Sequence, residues 1–484
     1  MKPVLTLLLV ATFLVPSALG QKTSSPWEKS VVRIDINRHS YNYFQPWSRR
    51  VAANQKFGLV IDDETIVTTA NLLYNHTLIR IQKGGRGQWA TGRVTWIDYH
   101  ANLALLTVDE DDFWEELKPA VLASPVPDSG PAQLIRWNSG RLEIRKININ
   151  RLQIRKGQLT FIDMLHMELD SEINDVGWSE AITVDDQVIG LTISQSRNKC
   201  IAIPSSFIRS VLDAQETGTY QGMGFFNFYW QQSENPATLD HLKLIGPKRG
   251  VIVTEVPKFP GDNNTLQPKD ILLKIDGFEI DTLGDYADPQ FGPMMLENLA
   301  TRGHWAGEQM PMTIWRNGQE QELIYTLPKA DFDKELIPTA LYDAPPEYVM
   351  AGGLIFQPIT VPYLKSWGED WLRSAPVRLI HYRGQPPTEE RPRLVVLSTV
   401  LPDSYNIGYQ SYRFLVLDKV NGKSISRINE LKEAFANPEG DYHLIEFKPG
   451  EPVEKIVIDA KRLAAATQRV MLRYGLADDS VIND

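Results

Sequence analysis

The chain has 484 residues, with 50 lysines and arginines against 60 aspartates and glutamates, a net charge of −10 and a hydrophobic content of 43%. This composition excludes a wholly disordered chain, and the acidic balance argues against a general nucleic-acid binder, because phosphate neutralisation requires clustered basic residues. The length predicts about three domains. We therefore expect protein or peptide partners and no nucleic acid.

Residues 1–20 have the pattern of a secretory signal peptide. A lysine at position 2 precedes an apolar run over residues 4–15, and Ala18-Leu19-Gly20 offers small residues where a signal peptidase cuts. We expect cleavage after Gly20 and a secreted or periplasmic mature chain, with an uncleaved anchor as the alternative. Later apolar runs are shorter than the roughly 18 residues that a membrane helix needs, so we expect no membrane span after cleavage.

Residues 28–215 are predicted to form one β-rich domain. Short apolar runs of β-type composition alternate here with Gly, Asp and Asn, and they occupy residues 31–34, 58–61, 66–68, 78–81, 93–97 and 103–108. Many short strands with such turns indicate a barrel or a sandwich. A helix is predicted over residues 205–214, with Ser205 or Ser206 as its N-cap.

Two asparagines follow predicted strands in a recognisable sequence context. Residues 68–73 read TTANLL, and residues 98–106 read DYHANLALL. Both segments resemble, in order and spacing, the HtrA/Deg family of trypsin-like serine proteases, and most closely its plant-type Deg subgroup and bacterial relatives. The resemblance implies a mainly β fold with a trypsin-like double β-barrel. It also implies a degenerate catalytic triad, because Asn71 stands for the histidine and Asn102 for the aspartate, and an amide cannot take a proton from a serine hydroxyl.

The third triad position falls in the loop INDVGWSEAI, which begins at Ile173. Ser179 is the best match to the family's nucleophile, since Gly177 precedes it by two residues and would belong to the oxyanion region. The register stays open, because counting from Ile173 gives Trp178 and counting back from Gly190 gives Gly177.

The residues after this serine predict a poor oxyanion hole. Glu180 and Ala181 stand where the family has two glycines, and a carboxylate there would oppose the charge of an oxyanion. The nearest alternative bases in sequence are His76, His100 and His166, none of which has a partner carboxylate at a recognisable spacing. No metal-ligand spacing occurs, so we expect no metal and no cofactor.

Residues 218–329 resemble a PDZ domain. Its core is matched by residues 249–253 and by LQPKDILLKIDG at residues 266–277. Four residues match the carboxylate-binding loop of these domains, which is the predicted peptide-binding site: Gly222, Met223, Gly224 and Phe225. Consecutive backbone N–H groups around glycines can bind a carboxylate, and the following strand can accept an extended peptide as an added strand.

Residues 344–463 resemble the divergent second PDZ domain of the plant-type Deg proteases. Its helix is predicted over residues 428–436, and apolar residues at near-helical spacing predict a C-terminal helix and tail over residues 464–484. Both PDZ-like domains are expected to be α+β. The resemblance also implies homo-trimers, or hexamers built from them.

Three hypotheses for function follow from the sequence. The first is an exported, catalytically impaired pseudoprotease that binds peptides or unfolded proteins with free C-termini through the first PDZ domain, in protein quality control. The second is an active serine endopeptidase that uses Ser179 with an unrecognised base. The third is a structural assembly protein whose grooves are closed by its own chain.

Overall fold

A computed structural model describes residues 25–257 and 265–483. The predicted signal peptide lies outside these residues. Within them, no helix is long and apolar enough to cross a membrane.

The first barrel contains six antiparallel strands and closes in the order β1-β2-β3-β6-β5-β4. Its strands are β1 (Val31–Tyr41), β2 (Arg49–Asp62), β3 (Thr65–Thr68), β4 (His76–Gln82), β5 (Trp89–Asp98) and β6 (Leu103–Val108). A short helix, α1 (Asp111–Trp114), follows it. All six predicted strands are present.

The second barrel also has six strands, in the closed order β10-β11-β12-β9-β8-β7. Its strands are β7 (Gly130–Asn138), β8 (Arg141–Lys156), β9 (Asp163–Asp170), β10 (Ala181–Val184), β11 (Gln187–Ser196) and β12 (Lys199–Pro204). Helix α2 (Ser205–Glu216) then leaves the barrel, as predicted, although Pro204 rather than a serine occupies its N-cap position. The predicted mainly β class with a double barrel is thus confirmed.

The two barrels share one hydrophobic core. Apolar residues of β1 to β3 and β6 pack in a single cluster with residues of β7, β11, β12 and α2. The indole of Trp137 donates a 2.6 Å hydrogen bond across the junction to the backbone oxygen of Val31. The junction between the barrels is therefore a buried interface, and the three triad positions lie along it.

Residues 218–329, which we call the first PDZ-like region, form a sheet in the order β13-β14-β15-β19-β20. Its elements are β13 (Tyr229–Gln231), α3 (Pro236–His241), β14 (Val251–Glu255), β15 (Ile271–Ile275), β16 (Phe278–Glu279), β17 (Asp285–Asp288), β18 (Gly292–Met295), β19 (Gln309–Arg316) and β20 (Gln319–Thr326). A 3-10 helix at Leu296–Ala300 and the β17–β18 ribbon occupy the segment where a PDZ domain has its second helix.

The last region contains the largest sheet, in the order β27-β26-β24-β23-β22-β21-β28. Its elements are β21 (Tyr348–Ala351), β22 (Leu354–Pro358), α4 (Val361–Leu364), α5 (Trp371–Ser374), α6 (Val377–Ile380), β23 (Val395–Val400), β24 (Leu415–Val420), β25 (Lys423–Ser424), α7 (Glu430–Ala436), β26 (Tyr442–Phe447), β27 (Lys455–Asp459), α8 (Leu463–Tyr474) and β28 (Ser480–Val481). The C-terminal tail thus adds a strand to the sheet as well as the predicted helix.

Aromatic contacts connect the barrels to the segment after β20 and to the last region. The tip of the β1–β2 hairpin places the ring of Phe44 4.8 Å from that of Trp367. The segment after β20 crosses the first barrel, where Tyr342 stacks on Tyr99 at 4.1 Å. These contacts hold the regions against one another.

Candidate functional site

The three triad positions come together at the barrel junction, but they do not form a relay. The side-chain Oδ1 of Asn102 accepts a 3.0 Å hydrogen bond from the backbone N of Asn71. The hydroxyl of Ser179 bonds instead to Thr69, with 2.6 Å between the two side-chain oxygens and 3.2 Å from the Thr69 backbone N. Only 1% of Ser179 is exposed, so its hydroxyl is enclosed by protein.

A buried lysine that sequence reasoning missed fixes the loop before Asn71. Lys56 is 1% exposed, and its ammonium donates to the backbone oxygen of Thr69, to Thr69 Oγ1 at 2.8 Å and to the backbone oxygen of Asn71 at 2.7 Å. These three acceptors match the three hydrogens of an ammonium group. Burial lowers the pKa of Lys56 well below its usual value, and the negative charge of Glu180 opposes that change.

The carboxylate of Glu180 lies inside the loop that should carry the nucleophile. Its Oε2 accepts hydrogen bonds from the backbone N of Gly177 at 3.0 Å and of Trp178 at 2.8 Å, and from the hydroxyl of Thr192. Glu180 has no exposed surface. Burial raises its pKa, while these hydrogen bonds lower it. The side chain therefore supplies its own acceptor to this pair of N–H groups.

Every backbone N–H group from residue 176 to residue 180 has an acceptor within the protein. The acceptors for residues 176 to 180, in order, are Gln195 Oε1, Glu180 Oε2, Glu180 Oε2 again, the Thr192 backbone oxygen and Thr192 Oγ1. An oxyanion hole needs two such donors directed at the reacting carbonyl oxygen. Whichever register is chosen for the nucleophile, these donors are already bonded.

Gly177 lies at a position that would not tolerate a residue with a side chain. Its φ is +114°, and a Cβ there would come within 2.7 Å of the backbone of Ser194. Trp178 packs against the core that the barrels share and against the core of the first barrel, and its backbone oxygen accepts from Phe57 N at 2.9 Å. Gly177 and Trp178 therefore hold the loop closed against the junction.

The three histidines considered as replacement bases all bond elsewhere. His76 Nδ1 lies 2.9 Å from the backbone oxygen of Leu73, and His100 Nδ1 lies 2.8 Å from Thr160 Oγ1. His166 Nδ1 lies 2.9 Å from the backbone oxygen of Met164, and burial lowers its pKa to about 4. The hydroxyl of Ser179 has no histidine partner among the described residues.

The predicted carboxylate-binding loop is tightly held at the edge of the first PDZ-like region. The backbone oxygen of Gly222 accepts from Ala306 N at 3.0 Å, and Met223 is buried in the core that the two barrels share. Gly222 has a φ of +98°, and a Cβ added there would lie 2.9 Å from Cε of Lys329. Gly224 is buried beside it, and the ring of Phe225 contacts Phe161 of the second barrel at 5.2 Å.

A cleft of about 570 Å³ continues from this loop between the first PDZ-like region and the second barrel. One wall is formed by residues 225–230, which lead into the edge strand β13. The cleft is also lined by Phe161 and Asp163 of the barrel and by Glu297 of the 3-10 helix, which lies beside Trp230. Because β13 pairs only with β14 among the described strands, its other edge faces this cleft.

In the last region, the tail of the chain lines the corresponding groove, which keeps a cavity of about 650 Å³ between β21, α7 and α8. The backbone N of Gly352 donates a 2.8 Å hydrogen bond to the hydroxyl of Thr467 on α8. Strand β28 pairs antiparallel with β21, and Met350 N donates to the backbone oxygen of Asp479 at 2.8 Å. The edge of β21 is therefore already paired with a strand of this chain, and such an edge is where strand addition by a peptide takes place.

No group of three His, Cys, Asp or Glu side chains in residues 25–257 and 265–483 is arranged to hold a metal ion.

The chain is similar to proteases of one kind. A sequence profile described as the PDZ domain matches residues 337–481. Among curated proteins of Arabidopsis thaliana, protease Do-like 4, mitochondrial, is 24% identical over 436 residues, which cover 86% of this chain and 79% of that protein. Protease Do-like 2, chloroplastic, is 22% identical over 467 residues, or 93% of this chain and 74% of that one.

Among solved structures, a serine-to-alanine variant of the HtrA-type protease AlgW with a decapeptide shares 17% identity. It aligns with a TM-score of 0.48 over 62% of this chain and 94% of that chain.

Proposed function

We propose a function for this chain on the basis of its homology. The chain is a homologue of the HtrA/Deg (Do-like) proteases and carries a PDZ domain, as its sequence predicted. In our proposal it is an exported pseudoprotease. It binds peptides or unfolded proteins with free C-termini through its first PDZ-like region, in protein quality control.

The occupied loop at residues 176–180 is the observation that carries the first part of this proposal. Catalysis by a serine requires a base for the hydroxyl and donors for the oxyanion. Here the hydroxyl of Ser179 bonds to Thr69, and the side chain of Glu180 already fills the pair of N–H groups at Gly177 and Trp178. Loss of the triad alone costs about a millionfold in turnover, and the remainder depends on the oxyanion hole.

The route that would serve an active enzyme runs from Ser179 Oγ through Thr69 Oγ1 to Lys56 Nζ. Two features oppose it. Lys56 Nζ directs its hydrogens at three acceptors and reaches Ser179 only through the hydroxyl of Thr69. Ser179 is enclosed, so a substrate carbonyl has no approach to its oxygen.

The cleft along β13 supports peptide binding. It begins at the loop of Gly222 and Gly224, offers an unpaired strand edge among the described residues, and has aromatic walls. Lys329 lies against Gly222, where its ammonium can reach a terminal carboxylate. In the last region, by contrast, the edge of β21 is already paired with β28 of the same chain.

Affinity for C-terminal peptides tests this function. We expect a ten-residue peptide with a free carboxylate to bind, its amidated copy to bind about tenfold more weakly, and Lys329→Met to reduce the difference. Isothermal titration with the full mature chain measures all three. If neither peptide form binds while the chain keeps its oligomeric state, the structural assembly hypothesis replaces this one.

A further inference from the structure

One carboxylate in the wall of the cleft is only half satisfied. Glu297 Oε1 accepts a 2.8 Å hydrogen bond from the indole Nε1 of Trp230. Its other oxygen, Oε2, is buried and has no hydrogen-bond partner among the described residues. A buried carboxylate oxygen without a donor is costly, so this atom marks a place where a donor is needed.

The charges around Glu297 do not provide that donor. The pKa of Glu297 is raised by burial, and the nearby carboxylates of Asp163 and Asp285 raise it further. Asp163 pairs with Lys156 at 3.7 Å, and the Lys156 ammonium also donates to the backbone oxygen of Phe161 at 2.6 Å. Lys156 is thus already bonded, and the charged groups that act on the pKa of Glu297 are carboxylates.

Trp230 adds a second feature that suits a cation. Its ring is partly buried and lies so close to Gly284 that a Cβ on that glycine would come within 2.3 Å of it. The indole is therefore held in place at the end of the wall, beside the unpaired oxygen of Glu297. An aromatic face next to a carboxylate attracts lysine and arginine side chains through both the ring and the charge.

We propose that Glu297 and Trp230 form a subsite for a lysine or arginine side chain of a bound peptide, which makes the cleft selective for basic C-terminal segments. This inference rests on the proposed peptide-binding function and names the class of ligand. The terminal carboxylate lies at the loop of Gly222 and Gly224 and near Lys329. The basic side chain lies at the other end of the residue 225–230 wall.

The length of this wall sets the position of the basic residue in the peptide. An added strand rises about 3.3 Å per residue, the same as the strand that it pairs with. Trp230 lies six residues after Gly224 along this wall. A peptide that runs antiparallel to this wall, with its carboxylate at the loop of Gly222 and Gly224, therefore places about its fourth to sixth residue from the C-terminus at Glu297.

A lysine scan tests the proposal. Ten-residue peptides of one alanine and serine background, ending in leucine with a free carboxylate, carry a single lysine at each position in turn. A matched series carries glutamine. Binding is measured by fluorescence anisotropy with the full mature chain and with Glu297→Gln, which keeps the acceptor for Trp230 and removes the charge. Glu255→Gln, an exposed carboxylate on β14, is the control.

We expect lysine four to six residues from the C-terminus to tighten binding about tenfold over glutamine. Glu297→Gln should abolish this gain, and Glu255→Gln should preserve it. If both series bind with equal affinity in every variant, the basic subsite is wrong and the proposed function stands. If no free-carboxylate peptide binds at all, the proposed function and the subsite are both wrong.

Discussion

Glu180 accepts a 2.8 Å hydrogen bond at its Oε2 from the backbone N of Trp178. A protease would use N–H groups of this loop for the negative oxygen of its reaction intermediate. In this chain the side chain of Glu180, two residues after Trp178, occupies these N–H groups. The loop is therefore stabilised by the same interaction that prevents its catalytic use.

Restoring the two missing triad residues is not expected to restore proteolysis. In the variant Asn71→His/Asn102→Asp, Glu180 still occupies the N–H groups of Gly177 and Trp178, and the hydroxyl of Ser179 still bonds to Thr69. Hydrolysis of fluorescent casein should stay at background. A rise of about a hundredfold, the size of a recovered general base, would show that the loop opens.

Lys56 is expected to be essential for the stability of the barrels. Replacement by methionine removes three hydrogen bonds and one of two positive charges that act on the buried Glu180, the other being Arg136 at 3.9 Å from its Oε1. Each buried acceptor left without its donor costs about 1–3 kcal/mol. Urea unfolding followed by tryptophan fluorescence measures the change, with the exposed Lys146→Met as control.

The double variant Lys56→Met/Glu180→Gln distinguishes charge coupling from simple loss of packing. If the two groups are coupled, the double variant should lose less stability than the sum of the single variants. Strictly additive losses would contradict the coupling.

His166 should make the stability of the protein depend on pH. Burial lowers its pKa in the folded state to about 4, against its ordinary 6.5, so the unfolded chain takes up a proton first as the pH falls. The contribution of His166 is complete above pH 6.5 and is lost between pH 6.5 and 4, by about 3 kcal/mol in all. His166→Gln should flatten this part of the profile, whereas His39→Gln should not.

The C-terminal tail should protect the edge of the last sheet. Deletion of residues 477–484 removes β28 and the acceptor for Met350 N. Amide exchange along Tyr348–Ala351, measured by hydrogen–deuterium exchange, should then be at least about tenfold faster, because the edge becomes exposed to water. Thr467→Val, which keeps the strand, should leave this exchange slow. Unchanged exchange after the deletion would mean that β28 does not cover the edge in solution.

Short-range sequence patterns predicted the strands of the first barrel well. The runs at residues 31–34 and 58–61 are short, of β-type composition and separated by turn residues, and they lie within β1 and β2. The segment after Thr282 was less predictable. It contains apolar residues at mixed spacing, and it forms a ribbon and a 3-10 helix, whose shape depends on packing against Trp230.

The candidate site was predictable only in part. The positions of Asn71 and Asn102 followed from their neighbours in sequence. Glu180 was identified from the sequence as a carboxylate that would oppose the negative charge of an oxyanion. The role of Lys56 was missed, because its partners at Thr69 and Asn71 are long-range contacts. The one signal for Lys56 in the sequence was its place in β2, immediately before the apolar run of that strand, which is buried on both sides. A charge at such a place needs a partner inside the protein.

The reactivity of Ser179 tests the central claim most directly. A fluorophosphonate probe labels a serine only when a base and an oxyanion hole activate it. We predict no labelling of the mature protein above the level of the Ser179→Ala variant, and equal, background cleavage of casein by both. Labelling and proteolysis that both disappear in Ser179→Ala would contradict the account.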